Sequence, residues 1–259
     1  MISVSRNGNL STIIIDRPDR RNALNWSMIG ALGNAIAECD TDTECHCLVI
    51  KGASDQFCAG RDLDAAGGAG ALVPALEADS AWTRIFHLLH RAGTPTIAVV
   101  RGYAVAGGFT LAMACDFVLA EKRAKFGAME MQNGFPAAIN TPVLSKLVGP
   151  RLALDLLVFG DLVNAERLFS MGLLNRLAKN SDELADIEAA FVARLLERDP
   201  HAVSLTKESH RATVNMPLDD ALVMGKQLNT LIAASGRLEE AAKSFAAKQK
   251  ARKKTKARL

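Results

Sequence analysis

Short apolar, β-branched runs alternate with amphipathic stretches along the first half of the chain. Four runs have the composition of buried strands: STIIID, HCLVIKG, TIAVVRG and DFVLA. Between them, residues 25–39 and 75–91 carry apolar side chains at helical spacing. This alternation of strand and helix predicts an α/β fold of βαβ units around a parallel sheet.

The pattern becomes mainly helical after Thr141. Ser181 is placed to cap a helix whose first turn contains Asp182 and Glu183, and Pro217 is placed to start another helix. We therefore expect an α/β core over residues 1–200, which would contain the functional site, followed by a helical region over residues 201–259.

The composition is that of an ordinary globular protein, with 49% hydrophobic and 23% charged residues in a chain of 259. No apolar run is long enough to span a bilayer, and the first residues lack a signal-peptide pattern. We expect a cytoplasmic protein without a membrane partner. The five scattered cysteines favour reduced thiols.

The formal charge of +3 conceals a basic tail between Lys248 and Arg258. This tail contains seven of the 31 Lys and Arg residues and no acid, which leaves 24 bases against 28 acids in the rest of the chain. A basic tail could contact nucleic acid, but terminal charge runs are usually solvated. With two Trp and one Tyr there is no aromatic platform for bases, so we expect no nucleic-acid partner.

Two groups of potential metal ligands occur in the sequence. Cys45-His46-Cys47 opens a predicted strand without a second ligand pair, and His87 and His90 share a helical face without an acidic companion. We expect no metal site. The chain also has no G-x-S-x-G motif, which gives a hydrolase triad little support.

Two glycine-containing turns have the best potential for chemistry. Residues 56–63, QFCAGRDL, follow one predicted strand, and residues 101–108, RGYAVAGG, join the next strand to a helix. Such turns leave N–H groups unpaired, and a helix dipole adds positive potential. If the two turns converge, they could hold a carbonyl oxygen that becomes negative during a reaction. Either turn alone is more often an ordinary strand–helix connection than a functional site.

Taken together, these turns and the later segment AKFGAMEMQNG resemble the crotonase (enoyl-CoA hydratase/isomerase) family. The resemblance runs from IDRPDRRNALN to the helical segment EEAAKSFAAKQK. It implies a spiral of βαβ units with a helical C-terminal trimerisation region, assembled as a homotrimer or hexamer. It also implies an acyl-CoA substrate and no cofactor, since coenzyme A is part of the substrate.

The resemblance also assigns roles to individual positions. Main-chain N–H groups of Arg61 and Gly107 would form an oxyanion hole, and Glu130 would be the catalytic carboxylate. The residues implied to contact the substrate lie near its nucleotide end (Arg20, Arg21) and along the thioester and acyl group (Cys58, Ala59, Gly60, Asp62, Leu63 and Thr110).

One position departs from the pattern of the family's two-glutamate hydratases. Thr110 stands where the first glutamate is usual, and Glu130 stands where the second is. A single carboxylate can move a proton from the alpha to the gamma carbon, which favours isomerisation. Hydration stays open if Thr110 or a neighbour positions water. After Glu130, the run NGFPAAINTP replaces a glycine-richer segment, and Asn133, Asn140 and Thr141 would either reshape the acyl pocket or begin a helix.

The sequence therefore predicts an enoyl-CoA hydratase/isomerase that acts on a fatty or related acyl-CoA thioester through an oxyanion hole and one glutamate acid/base. Two alternatives remain at this point. One is another reaction of the same family, acyl-CoA hydrolysis or decarboxylation, and the other is a non-catalytic oligomeric scaffold that uses the basic tail.

Overall fold

The structure, a computed structural model, describes residues 1–62, 72–236, 238–239 and 242–243. Leu63 and the basic tail therefore lie outside the described residues. The chain divides into two compact units, Met1–Leu205 and Thr206–Leu259. No helix in the described ranges is long and apolar enough to cross a membrane.

A six-stranded mixed sheet forms the centre of the first unit. Its strands, in spatial order, are β1 (Ile2–Asn7), β2 (Leu10–Ile15), β3 (Cys47–Gly52), β4 (Thr96–Val100), β6 (Phe117–Glu121) and β9 (Arg176–Ala178). Strand β1 is antiparallel to β2, and the other neighbours are parallel. The four predicted strands are confirmed, and the parallel sheet gains an antiparallel edge strand.

A smaller sheet supports the second glycine turn. It contains β5 (Tyr103–Val105), β7 (Lys125–Gly127) and β8 (Val163–Asn164), with β5 parallel to β7 and β7 antiparallel to β8. These strands have two or three residues each, so the sequence shows no periodicity from which to predict them.

Helices cover the sheet and continue into the second unit. Their bounds are α1 (Trp26–Thr41), α2 (Leu72–Arg91), α3 (Gly107–Ala114), α4 (Asn140–Leu147), α5 (Pro150–Val158), α6 (Ala165–Ser170), α7 (Ser181–Leu196), α8 (Pro200–Thr213) and α9 (Leu218–Ala234). Pro217 precedes α9 as predicted. The predicted cap of α7 is wrong: the side chain of Asn180 accepts from Glu183 N–H, while Ser181 donates to Glu121.

The strands alternate between two apolar layers, as expected for a sheet buried on both faces. Along β3, Leu48 and Ile50 belong to the larger core cluster, whereas Cys47 and Val49 belong to the smaller one. Strand β4 is buried throughout. The sheet is thus a rigid base, and the two glycine turns lie at the carboxyl ends of β3 and β4, where α/β proteins commonly bind ligands.

Candidate active site

The two glycine turns lie side by side. An isolated parallel bridge joins Cys58 to Ala104. Cys58 N–H donates to the Tyr103 carbonyl at 3.0 Å, and Val105 N–H donates to the Cys58 carbonyl at 3.1 Å. The two turns therefore converge, as an oxyanion hole built from both would require.

Glycines make this close approach possible. A Cβ atom on Gly60, whose φ is +88°, would lie 2.7 Å from the amide nitrogen of Gly107. A Cβ on Gly107 would lie 2.5 Å from Cζ2 of Trp82, and one on Gly108 would lie 2.0 Å from the Cys58 carbonyl oxygen. Larger residues at these positions would push the turns apart.

Backbone N–H groups of both turns are available to a ligand. Arg61 and Gly107 line one cavity of about 430 Å³. In the described part of the chain, neither N–H has a hydrogen-bond acceptor. Gly107 is the first residue of α3, so the helix dipole adds positive potential there. Ala106 before it has φ +49° and ψ −127°, a strained conformation of the kind that often occurs at functional sites.

The Arg61 side chain also belongs to the cavity wall. Its guanidinium forms an ion pair with Asp79 and lies over the ring of Trp26, 5.6 Å from the ring centroid. Asp79 and Trp82 on α2 line the same cavity. One side of the cavity is therefore charged, while Val105, Phe135 and Ile139 are among its apolar wall residues.

Glu130 follows strand β7 and precedes a short 3-10 helix, Met131–Asn133. Its Oε1 atom accepts a hydrogen bond of 2.9 Å from Nδ2 of Asn140. Its Oε2 atom is buried and has no hydrogen-bond partner among the described residues. Burial raises the pKa of Glu130, while a backbone hydrogen bond, the Asn140 amide and the charge of Arg61 act in the opposite direction.

Thr110 and Asn140 form a buried pair beside this carboxylate. Thr110 on α3 is completely buried, and its hydroxyl donates to Oδ1 of Asn140 at 2.6 Å. Asn140, at the start of α4, also donates from Nδ2 to the Ala106 carbonyl at 3.2 Å. Thr110 lines the cavity, and its hydroxyl already donates to Asn140; its contact with the substrate stays a prediction.

Two side chains expected along the thioester support the turn itself. The Cys58 thiol is fully buried, donates to the Asn22 carbonyl at 3.3 Å and accepts from Gly60 N–H at 3.3 Å. Burial raises the pKa of this thiol to about 12. The carboxylate of Asp62 pairs with Arg17 at 2.6 Å. Neither Cys58 nor Asp62 is among the described residues that line the cavity, whereas Ala59 is; contact of these residues with the substrate stays a prediction.

Arg20 and Arg21 are exposed, and neither is among the described residues that line the cavity. The Arg21 carbonyl accepts from Ala59 N–H at 3.1 Å, so this segment is attached to the first glycine turn. The buried Asn22, which the sequence did not single out, donates to the carbonyls of Ala53 at 3.0 Å and Gln56 at 2.7 Å. In the sequence, the one indication of this role is that Asn22 is a polar residue directly after the RPDRR segment.

Among the described residues, no group of three or more His, Cys, Asp or Glu side chains is arranged to hold a metal ion. All five cysteines are buried free thiols. The polar groups of the described cavity wall include the side chains of Glu130, Thr110 and Asn133 and the N–H groups of Arg61 and Gly107.

Comparison with solved structures identifies the type of fold. An enoyl-CoA hydratase from Polaromonas sp. JS666 superimposes with a TM-score of 0.88 at 26% identity, over 95% of this chain and 97% of that chain. The α/β architecture described above is thus that of the crotonase fold.

Sequence comparison then identifies the family. The family model for enoyl-CoA hydratase/isomerase matches residues 5–256. A crotonyl-CoA hydratase of Syntrophomonas wolfei is 31% identical, over 96% of each chain. A carnitinyl-CoA dehydratase of Salmonella paratyphi A is 33% identical, over 85% of this chain and 83% of that protein. The chain belongs to the enoyl-CoA hydratase/isomerase family.

Proposed function

We propose that this protein moves a proton on an enoyl-CoA thioester, with Glu130 as its single acid/base and with isomerisation of the double bond as the main reaction. The observation that carries the proposal is the unpartnered Oε2 of Glu130 in a cavity that also contains the unpaired N–H groups of Arg61 and Gly107. A catalytic role is one of the recognised reasons for a buried polar atom without a protein partner.

The two N–H groups would hold the thioester oxygen. Loss of a proton from the alpha carbon makes this oxygen negative, so donors directed at it stabilise the transition state more than the substrate. Each such donor typically lowers the barrier by about 3 kcal/mol. The ion pair of Arg61 with Asp79 involves its side chain only and leaves its backbone N–H for this task.

Glu130 would carry the proton between two carbon atoms. The carboxylate takes the alpha proton of a 3-enoyl thioester, and the C–H electrons pass into the dienolate held by the two N–H groups. The protonated carboxyl then returns the proton to the gamma carbon, which gives the 2-enoyl thioester. No electrons are lost or gained, and the steps need no cofactor. The raised pKa of Glu130 makes its ionised form a stronger base.

Hydration is the second candidate, since the two relatives above are named as a hydratase and a dehydratase. Water addition needs a group that activates the water. In this protein the Thr110 hydroxyl donates to Asn140, so its proton is not free for a water molecule. Asn140 in turn donates to Glu130, which is the carboxylate in this series of hydrogen bonds. These contacts support isomerisation over hydration.

We further propose that the protein assembles as a homotrimer or hexamer. Apolar side chains of the first unit are exposed along and after helices α4 and α5, namely Leu147, Leu154, Val158, Phe159 and Leu162. A cluster of this kind is typical of an association surface. Sedimentation equilibrium would show a mass of three or six chains, and a monomer at micromolar concentration would contradict the proposal.

Activity on a panel of 2-enoyl- and 3-enoyl-CoA esters would test the proposed function. We expect 3-enoyl esters to gain the absorbance of a conjugated thioester faster than 2-enoyl esters lose it to water. Glu130→Gln should lower turnover by about 10²–10⁴-fold, the usual contribution of a positioned acid/base, with little change in acyl-CoA affinity. Glu44→Gln alters an exposed carboxylate and serves as the control. Near-wild-type turnover by Glu130→Gln would refute the mechanism.

A further inference from the structure

A chain of hydrogen bonds runs from Thr110 through Asn140 to Glu130. The Thr110 hydroxyl donates to Oδ1 of Asn140 at 2.6 Å, and Nδ2 of Asn140 donates to Oε1 of Glu130 at 2.9 Å. Nδ2 also donates to the Ala106 carbonyl at 3.2 Å. Thr110 and Asn140 are buried, so water does not compete for the hydrogen bond between them.

The chemistry of the partners fixes the orientation of the Asn140 amide. Its NH2 group faces Oε1 of Glu130 and the Ala106 carbonyl, and in the ionised form of Glu130 that acts as the base both can only accept. Its carbonyl oxygen faces the one group of the three that can donate, the Thr110 hydroxyl. Rotation of the amide by 180° would place oxygen against oxygen twice, so Thr110 secures the direction in which Asn140 donates.

The two oxygens of Glu130 therefore have different surroundings. Oε1 is held by Asn140, which is itself tied to the start of α3 through the Ala106 carbonyl. Oε2 has no partner among the described residues, in a side chain that lines the cavity. Rotation about the last torsion of Glu130 would exchange the two oxygens, and the Asn140 contact opposes it.

We propose that Asn140 is a positioning residue that holds Oε1 of Glu130, with Thr110 fixing its amide, so that Oε2 is the atom that takes and returns the proton. The inference rests on the proposed function of Glu130. It assigns a role to a residue ten positions later in the chain whose side chain does not line the cavity among the described residues. An error of about 1 Å in the placement of a reacting group can cost on the order of 10²-fold in rate.

The test compares Asn140→Leu, which has a similar shape but no amide, with the wild type. Turnover should fall by about 10- to 100-fold, because the carboxylate is less well placed, while KM changes little. Asn34→Leu, at an exposed asparagine of α1, is the matched control. Circular dichroism and binding of acetoacetyl-CoA would establish that each variant is folded.

The pH profile separates positioning from general support of the fold. The amide of Asn140 favours the ionised form of Glu130, so its removal raises the pKa of Glu130 further. The acid limb of kcat/KM should then move to higher pH in Asn140→Leu. Arg61 and Asp79 are the other charged residues in the described cavity wall, and neither is altered in this variant.

Thr110 provides a second test if Asn140→Leu does not fold. Thr110→Val preserves the shape and removes the hydroxyl, so turnover should fall and the acid limb should move up, whereas Thr110→Ser should recover turnover relative to the valine variant. Wild-type turnover and an unchanged acid limb in folded Asn140→Leu, or in Thr110→Val, would overturn the positioning role. Activity of Glu130→Gln would instead refute the proposed function, so the two failures are distinguishable.

Discussion

Gly60 and Gly107 approach so closely that a Cβ atom on Gly60 would lie 2.7 Å from the amide nitrogen of Gly107. This distance is shorter than van der Waals contact, and the φ of +88° at Gly60 also disfavours a side chain. The contact brings the end of the first turn to the N–H group with which α3 begins. A methyl group at Gly60 would therefore displace the Gly107 N–H group from the oxyanion hole that we propose.

Gly60→Ala should therefore weaken binding of an enolate-like ligand more than binding of CoA itself. The displaced Gly107 N–H would no longer meet the thioester oxygen, which CoA lacks, and the selective loss should be about 1–3 kcal/mol. Isothermal titration with acetoacetyl-CoA and CoA would measure it. Gly172→Ala is the matched control, since Gly172 has φ +79° but no atom within 4 Å of its Cβ position. Equal weakening of both ligands would mean that Gly60 only shapes the cavity.

The half-buried carboxylate of Glu130 should lower the stability of the protein at neutral pH. Because its pKa is raised in the folded state, the stability associated with this group is present below the pKa of an unfolded glutamate and is lost as pH rises through the folded value. Glu130→Gln should thus be more stable than the wild type near pH 7, and the difference should shrink toward about pH 4. Urea unfolding at several pH values would measure this. A difference independent of pH would contradict the argument.

Asn22 should prove important for stability, although it is outside the cavity. Its amide donates to the carbonyls of Ala53 and Gln56 in the segment that leads to the first glycine turn. Asn22→Asp keeps the shape but cannot donate, so the two carbonyls would face a carboxylate. We expect a loss of about 1–3 kcal/mol in the free energy of unfolding. Asn34→Asp, at an exposed site of α1, is the control and should change the free energy of unfolding little. An equal loss of stability in both variants would show that the two hydrogen bonds of Asn22 are not the cause.

Much of the fold follows from local pattern. The β-branched runs that become β2, β3, β4 and β6 are long enough to show in the sequence, and each is buried in a parallel sheet. The strands of the smaller sheet are too short to show a period, and they exist because distant segments pair. The cap of α7 was misplaced by one residue because Asn180 and Ser181 are both good capping residues.

The site was only partly predictable for a similar reason. The resemblance indicates Glu130 and the two glycine turns, because these residues lie within short motifs that can be recognised in the sequence. For Asn140 the sequence leaves two roles open, as a residue of the acyl pocket or as the start of a helix. It is the first residue of α4 and it also contacts Glu130. The contact with Thr110, 30 positions earlier, depends on how α3 and α4 pack and has no local signature.

The Thr110–Asn140 pair leads to the final prediction, which concerns the balance between isomerisation and hydration. Thr110→Glu alone would introduce a carboxylate at a fully buried position. There the Thr110 hydroxyl is already only 2.6 Å from Oδ1 of Asn140, so a larger side chain has no room. Burial of an unpaired charge is costly, so this variant should be unstable or should protonate the new group. Asn140→Gly would remove this neighbour and bring the segment closer to the glycine-richer run that the resemblance implies for two-glutamate hydratases.

We therefore expect hydration to rise, relative to isomerisation, in the double variant Thr110→Glu, Asn140→Gly and not in either single variant. Two carboxylates could then share a water molecule, one accepting its proton and the other donating to the alpha carbon. Loss of conjugated thioester absorbance from a 2-enoyl-CoA ester would report hydration, and its gain from a 3-enoyl ester would report isomerisation. Adding Glu130→Gln should abolish both activities. A folded double variant that binds acetoacetyl-CoA yet keeps the wild-type ratio would show that the missing second glutamate does not determine the reaction.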